Sequence, residues 1–296
     1  MSVSISVCRY NPSAGYSADF MRVCDFLKKL NRPEVRTAHY PWARWVWQFG
    51  PYMNMEGLSQ IGMFEQNGEM VGLATYENDL GEAYFCLDEG VPGLAERAVA
   101  YALEHLAKDG RVRLLLPDGD LPLQQAAIRC GLHPSAEKSS TARLDIAGLK
   151  NDLPEGYRFM DFSDPDFDAD RFYAAIWKGF DNRRARNERE QKSMEEREGF
   201  DAPGFDKQLK VLAVAPNGDY AAHCGIWHQP GDAYAYIEPV FTLPEYRRKK
   251  LGRAVVWEAA RRCGQRGASH ALVVSNQPFY YGIGFYPVQN ETWWKK

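Results

Sequence analysis

Four consecutive cations, Arg247-Arg248-Lys249-Lys250, stand between an apolar run closing at Leu243-Pro244 and a helical pattern opening on Leu251, Val255 and Ala259. That order makes a strand, a basic loop and a helix N-terminus in one short span. The first amides of a helix have no partner within it and carry the positive end of its dipole, so they bind anions, and neighbouring cations strengthen the site. The chemistry this stretch could do is to hold a pyrophosphate. A solvated charged turn has the same local sequence, so the surrounding elements must decide.

Other chemistries find less support. His223, Cys224 and His228 fall along one strand with mixed facing, and there is no Cys-x-x-Cys pair, so no metal site is expected. Neither a Gly-x-x-x-x-Gly-Lys loop nor a Ser/His/Asp signature competes. The six scattered cysteines read as small buried side chains in a reducing compartment. A net charge of −3 gives no general attraction to nucleic acid, since the basic residues are local. No apolar run reaches the roughly 20 residues of a membrane span, and the first ten residues lack the pattern of a signal peptide. The expectation is a cytoplasmic protein with no membrane or nucleic-acid partner; self-association stays open.

The 296 residues suffice for two domains, and the order of elements occurs twice. A helical pattern over 17–29 precedes an aromatic-rich stretch, 40–52, that reads as core or interface packing. Two β-favouring runs then flank Asn67-Gly68, a strong hairpin signal. A third strand follows at 83–87, a helix through Leu94 to Leu106 stopped at Gly110, a strand at 111–116, a short helix at 121–130 stopped at Gly131, and a strand at 138–146. Gly, Asn, Asp and Pro at 147–156 mark a linker. Beyond it come a strand at 157–162, a helix at 169–180 and a charged helix at 183–198. A hairpin around Asn217-Gly218, a strand at 234–241, a long helix from Leu251 to about Arg266, a strand at 270–274 and a turn closing at Gly284 complete the second copy. The reading is a tandem α/β repeat: domain 1–147, linker 148–156, domain 157–296.

The copies differ where chemistry would occur. Between hairpin and long helix the second copy is seven residues longer, and the extra length falls on the basic loop. The first copy has Asp88-Glu89-Gly90-Val91-Pro92-Gly93-Leu94-Ala95 there, acidic and without arginine. An acidic loop repels phosphate, so only the second copy is equipped to hold one.

These residues resemble the GNAT acyltransferase superfamily, in its tandem-domain form. The signature Arg/Gln-x-x-Gly-x-Gly/Ala is matched by Arg247-Arg248-Lys249-Lys250-Leu251-Gly252, with Lys250 at the first glycine. Glu238-Pro239-Val240-Phe241-Thr242 resembles the family's fourth strand, and Asn276-Gln277-Pro278-Phe279-Tyr280-Tyr281-Gly282-Ile283-Gly284-Phe285 its asparagine, tyrosine and Gly-Phe motif. The resemblance implies two domains, each with a mixed, mostly antiparallel twisted sheet flanked by helices. It also implies acetyl-CoA in a cleft where the fourth and fifth strands splay, and no metal. The backbone of Val240, Phe241 and Thr242 would pair with the pantetheine arm, and Arg247, Arg248, Lys249, Lys250, Leu251, Gly252 and Arg253 would receive the pyrophosphate, with Asn276 a further contact. Tyr280 matches the family's general acid, with Tyr281 as the fallback. Glu238, beside the thioester position, is the candidate base or ammonium ligand, although an edge-strand glutamate facing solvent is the plain alternative.

In the first copy Ala127 stands where Tyr280 does and the loop lacks its arginine, so that copy is expected to pack and shape an acceptor pocket without catalysing. The functional expectation is an acetyl-CoA-dependent N-acetyltransferase acting on the primary amine of a small molecule or an amino terminus. A non-catalytic CoA- or small-molecule-binding protein is the alternative. The acceptor pocket is expected around 162–197 and the 42–52 cluster, where Asp164, Asp166 and Asp168 could attract a cationic amine.

Overall fold

The structure, a computed structural model, describes residues 4–12, 15–32, 34–49, 53–150, 153–196 and 199–296. Tyr52 of the aromatic stretch, linker residues 151–152, and Arg197 and Glu198 of the charged segment lie outside the described residues. The chain forms two compact units. Met1–Ala142, Val274–Asn276 and Pro287–Lys296 make the first, and Arg143–Val273 with Gln277–Tyr286 the second.

The first unit contains β1 (Ile5–Arg9), α1 (Ala18–Leu30), α2 (Trp42–Gln48), β2 (Gly62–Gln66), β3 (Glu69–Thr75), β4 (Glu82–Leu87), α3 (Leu94–His105), β5 (Arg113–Pro117), α4 (Leu121–Arg129) and most of β6 (His133–Asp145). Asn67 and Gly68 both take positive φ between β2 and β3, the backbone a two-residue hairpin requires. The aromatic stretch is core: Trp42, Trp45 and Phe49 are buried, and Trp45 stacks on Phe20 of α1 at 5.5 Å. Strands β4 and β5 run parallel and pair only at Glu82–Arg113 and Ala83–Leu114, after which they part.

The second unit contains β7 (Arg158–Asp161), α5 (Ala169–Gly179), α6 (Glu188–Glu195), β8 (Lys210–Val214), β9 (Tyr220–His228), β10 (Tyr234–Thr242), α7 (Leu251–Gly264), β11 (His270–Val274) and α8 (Pro278–Gly282). Strand order is β7-β8-β9-β10-β11, antiparallel except for β10 against β11. Every residue of β8 and β9 is buried, because α5 and α7 both pack on β9. Double coverage explains why these strands read as continuous small and apolar runs instead of alternating.

Two strands lie outside the expected set. β1 occupies the stretch read only for a leader peptide. β12 (Tyr286–Lys295) follows the last glycine, and its residues from Pro287 onward count with the first unit, where Thr292 and Trp293 pair with Leu116 and Leu115 of β5. Arg113 lies 4.0 Å from the Trp293 ring centroid, so a polar, unpromising segment is held by stacking and by the ladder.

Candidate active site

In the second unit the expected site residues begin along β10 and the turn that follows it. Tyr234, Ala235 and Tyr236 pair with His270, Ala271 and Leu272 of β11, and no pairing continues beyond them. On the other side, the register against β9 steps from Ile237–Ile226 to Val240–Cys224, so β10 carries one extra residue. This bulge spans Glu238 and Pro239, joined by a cis peptide bond. Proline has no amide to give a ladder, which suits an unpaired point. Beyond it the residues alternate, with Val240 and Thr242 half-buried and Phe241 buried.

Two neighbours fix the bulge. The Trp227 indole donates from Nε1 to the Glu238 carbonyl at 2.9 Å. Gly225 lies so close that a Cβ there would meet the same carbonyl at 2.6 Å and Pro239 Cδ at 2.8 Å. The first obstacle is backbone, so Gly225→Ala is expected to destabilise the protein by about 1–3 kcal/mol. Urea denaturation checks this, and a loss below about 0.5 kcal/mol would mean the approach is not fixed.

After β10 a short turn, Pro244–Tyr246, leads into the basic loop. Tyr246 donates to Asp219 at 2.6 Å, and Arg247 donates to the carbonyls of Thr242 and Gly179 and to Asp181. The Arg247 side chain therefore ties the loop to α5, while Arg248, Lys249 and Lys250 are exposed. Lys250 is the N-cap of α7 with φ +64° and no side-chain bond to the first turn. That left-handed backbone is why glycine suits the position, and lysine there carries roughly 1–2 kcal/mol of strain. The 14-residue helix thus begins at Leu251 without a cap from the Lys250 side chain. A Cβ on Gly252 would meet the Phe279 ring and Thr242 Oγ1 at 3.1 Å, so glycine brings this turn against β10 and α8.

Tyr280 is buried in α8, which starts on Pro278 and is closed by the Phe285 amide donating to the Tyr280 carbonyl at 3.1 Å. Burial first, then the negative charge of Glu238 and neighbouring Cys224 and Tyr236, hold its phenol protonated well above the usual range. Glu238 and Tyr280, 42 residues apart in the chain, are thus near enough to feel each other's charge.

The sequence of the second unit and the fold of the chain are similar to known proteins. Residues 169–286 match the Acetyltransferase (GNAT) family. Those residues form a GNAT-family domain. At the level of whole structures, 99% of the chain superposes on 98% of a tandem GNAT protein from the clavulanic acid biosynthesis pathway, at 15% identity and TM-score 0.61. A GCN5-related N-acetyltransferase from Sphaerobacter thermophilus covers 99% of this chain over 95% of its own, at 15% identity and TM-score 0.57. N-myristoyltransferase of Saccharomyces cerevisiae, solved with bound myristoyl-CoA and inhibitors, covers 99% of this chain over 80% of its own, at 9% identity and TM-score 0.56. No curated protein matches by sequence. The fold is the mixed, helix-flanked sheet of GNAT proteins, and residues 169–286 carry the match to an acyltransferase family whose members draw on an acyl-CoA.

The other expected residues have definite places. Asn276 counts with the first unit, where its amide donates to the Lys138 carbonyl at 2.8 Å. Asp168 caps α5 through the Arg171 amide, and Asp164 accepts the Asp166 amide and faces Arg158, so two of the three acidic residues serve the turn and the helix start. His223 is buried among Phe162, Phe172 and Phe241, and burial pushes its pKa down to about 3, so it stays neutral. Among the described residues no group of three or more His, Cys, Asp or Glu could hold a metal. Likewise, no helix of the described residues is long and apolar enough to cross a membrane.

Sequence reasoning passed over Lys210 and Trp227. Lys210 is buried on β8, donates to the Ile226 carbonyl at 3.0 Å, and lies 3.6 Å from the centroid of the Trp227 ring that holds the bulge. Burial lowers its pKa to about 7. The unfolded chain, with lysine near 10.4, binds more protons between these values, so this group makes stability rise as pH climbs from about 7 to 10. Lys210→Met should flatten that rise, gaining most below pH 7, by ~1 kcal/mol. Urea midpoints at pH 6.5 and 9.5 measure it, and parallel pH dependences in the two proteins would contradict it. In the sequence, Pro239, with no amide for a ladder, marks an unpaired point on this strand, and the isolated glycine Gly225 within the neighbouring strand is a further signal of the bulge.

Proposed function

We propose that the GNAT domain transfers an acetyl group from acetyl-CoA to a primary amine of a small molecule or an amino terminus. The observation that carries this reading is the coexistence, in the second unit, of a helix start flanked by cations, the bulged strand with Glu238 and the buried Tyr280. The start of α7 at Leu251 and Gly252, where the Lys250 side chain makes no capping bond, with Arg248, Lys249 and Lys250 beside it, suits a pyrophosphate. The backbone of Val240 to Thr242, unpaired toward β11, offers a ladder edge to the pantetheine amides.

The chain's residues then supply proton transfers. Glu238 accepts a proton from the acceptor ammonium, directly or through water, so that the neutral amine can attack the thioester carbonyl. The amide of Val240 or Phe241 polarises that carbonyl oxygen. As the carbon–sulfur bond breaks, Tyr280 gives its proton to the departing sulfur; a phenol held protonated in the resting cleft is suited to that role. The first unit, with Asp88 and Glu89 in its loop and Ala127 where Tyr280 stands, supports without turning over.

Thermal melting tests the binding half. Acetyl-CoA at 100 times its dissociation constant should add about 2.7 kcal/mol of stability, and thiol release across a panel of primary amines should identify acceptors. Absence of any melting shift would overturn the reading. A shift without thiol release would leave a binding protein.

A further inference from the structure

The first unit has its own cleft at the corresponding place. Where β4 and β5 part, a cavity of about 400 Å³ opens, floored by Phe85 and Leu87 of β4 and Leu94 of α3. Helix α3 begins after Gly93 at φ +78°, as α7 begins after Lys250 at φ +64°, so the two helix starts share a backbone form. The charge at the mouth is reversed. Asp88, Glu89 and Asp120 line it against a single cation, Arg36, and no ion pair joins Arg36 to any of them among the described residues. Asp88 accepts the Gly90 amide and Asp120 the Leu123 amide, each through one oxygen.

We propose that this cavity is a second ligand site, which binds a small organic ammonium ion through the carboxylates of Asp120 and Glu89 and shelters its apolar body against Phe85, Leu87 and Leu94. A volume near 400 Å³ falls in the usual range of small-ligand pockets. The mixture of an apolar floor with two or three convergent polar groups is what fixes an amphiphilic ligand in one orientation. Charge complementarity selects the sign: a phosphate at this mouth would face the carboxylates of Asp88, Glu89 and Asp120, whereas an ammonium would be drawn to them. Burial and, behind it, the charge of Glu89 raise the Asp120 carboxyl above its ordinary range despite the Leu123 amide, and a cation between Glu89 and Asp120 would offset both. The inference does not rest on catalysis in the second unit.

Hexylammonium is the probe, with 1-hexanol as its neutral counterpart and hexanoate as its anionic one, titrated into the full chain and followed by hydrogen exchange. Hexylammonium should protect the segments 85–95 and 117–124, and the two counterparts should bind at least about tenfold more weakly, the value of one charge-assisted hydrogen bond. The double variant Glu89→Gln, Asp120→Asn should weaken hexylammonium about tenfold or more; asparagine caps a helix as well as aspartate, so α4 keeps its start. Its melting shift with acetyl-CoA should equal that of the unaltered chain, which separates loss of this site from misfolding and from failure of the catalytic reading. Equal affinity for 1-hexanol, unchanged affinity in the double variant, or protection confined to the second unit or absent altogether would overturn the proposal.

Discussion

Tyr280→Phe should lower kcat by about 10²-fold or more while leaving the acetyl-CoA melting shift intact, because general acid catalysis is worth roughly 10²–10⁴ and the ring packing is retained. The phenol sits edge-on to Phe285 with ring centroids 5.4 Å apart, and phenylalanine keeps that contact. Burial and the nearby charge of Glu238 hold the proton on. The unaltered protein should therefore not lose rate as pH rises through about 10, where an ordinary tyrosine ionises. Pre-steady-state thiol release with acetyl-CoA and a saturating amine measures the step. Full activity in the variant would remove Tyr280 from the role and turn attention to Tyr281, one residue on.

Glu238→Gln carries the second large effect. If this carboxylate takes the acceptor's proton, kcat/KM at pH 7 should fall about 10²-fold. The defect should narrow as pH rises toward the acceptor's own pKa, because an amine already neutral in solution needs no base. A purely structural loss would be the same at every pH. The amide replaces the carboxylate with little change of shape, and the backbone carbonyl that Trp227 holds is untouched, so the bulge should survive. A pH-independent defect would assign Glu238 to packing alone.

Much of this was legible in the chain because the signals are local. Asn67-Gly68 sets a hairpin by its φ requirements, the cations before Leu251 mark a helix start, and the helical spacing of Leu251, Val255 and Ala259 gives α7 its buried side. The long helix was read to about Arg266, but α7 ends at Gly264, with Gly267 reached through a turn at φ +104°. Helix ends depend on capping contacts that periodicity does not report.

Other features belong to the tertiary structure. Arg247 and its exposed neighbours are equivalent as charges in the sequence, yet packing ties Arg247 to Thr242, Gly179 and Asp181. Lysine on a strand reads as solvent-facing, and only the aromatic surroundings of β8 and β9 put Lys210 against Trp227. β12 is polar, and cross-strand pairing and stacking, both long-range, hold it to β5. The sequence by itself determined the Asn-Gly hairpin, the basic helix start and the family match of residues 169–286, since each is written in neighbouring residues. Pro239 marked the unpaired point, but the hold of Gly225 and Trp227 on the bulge, and the placing of Tyr280 where the charge of Glu238 acts on it, were decided only by packing, because they join residues the chain keeps far apart.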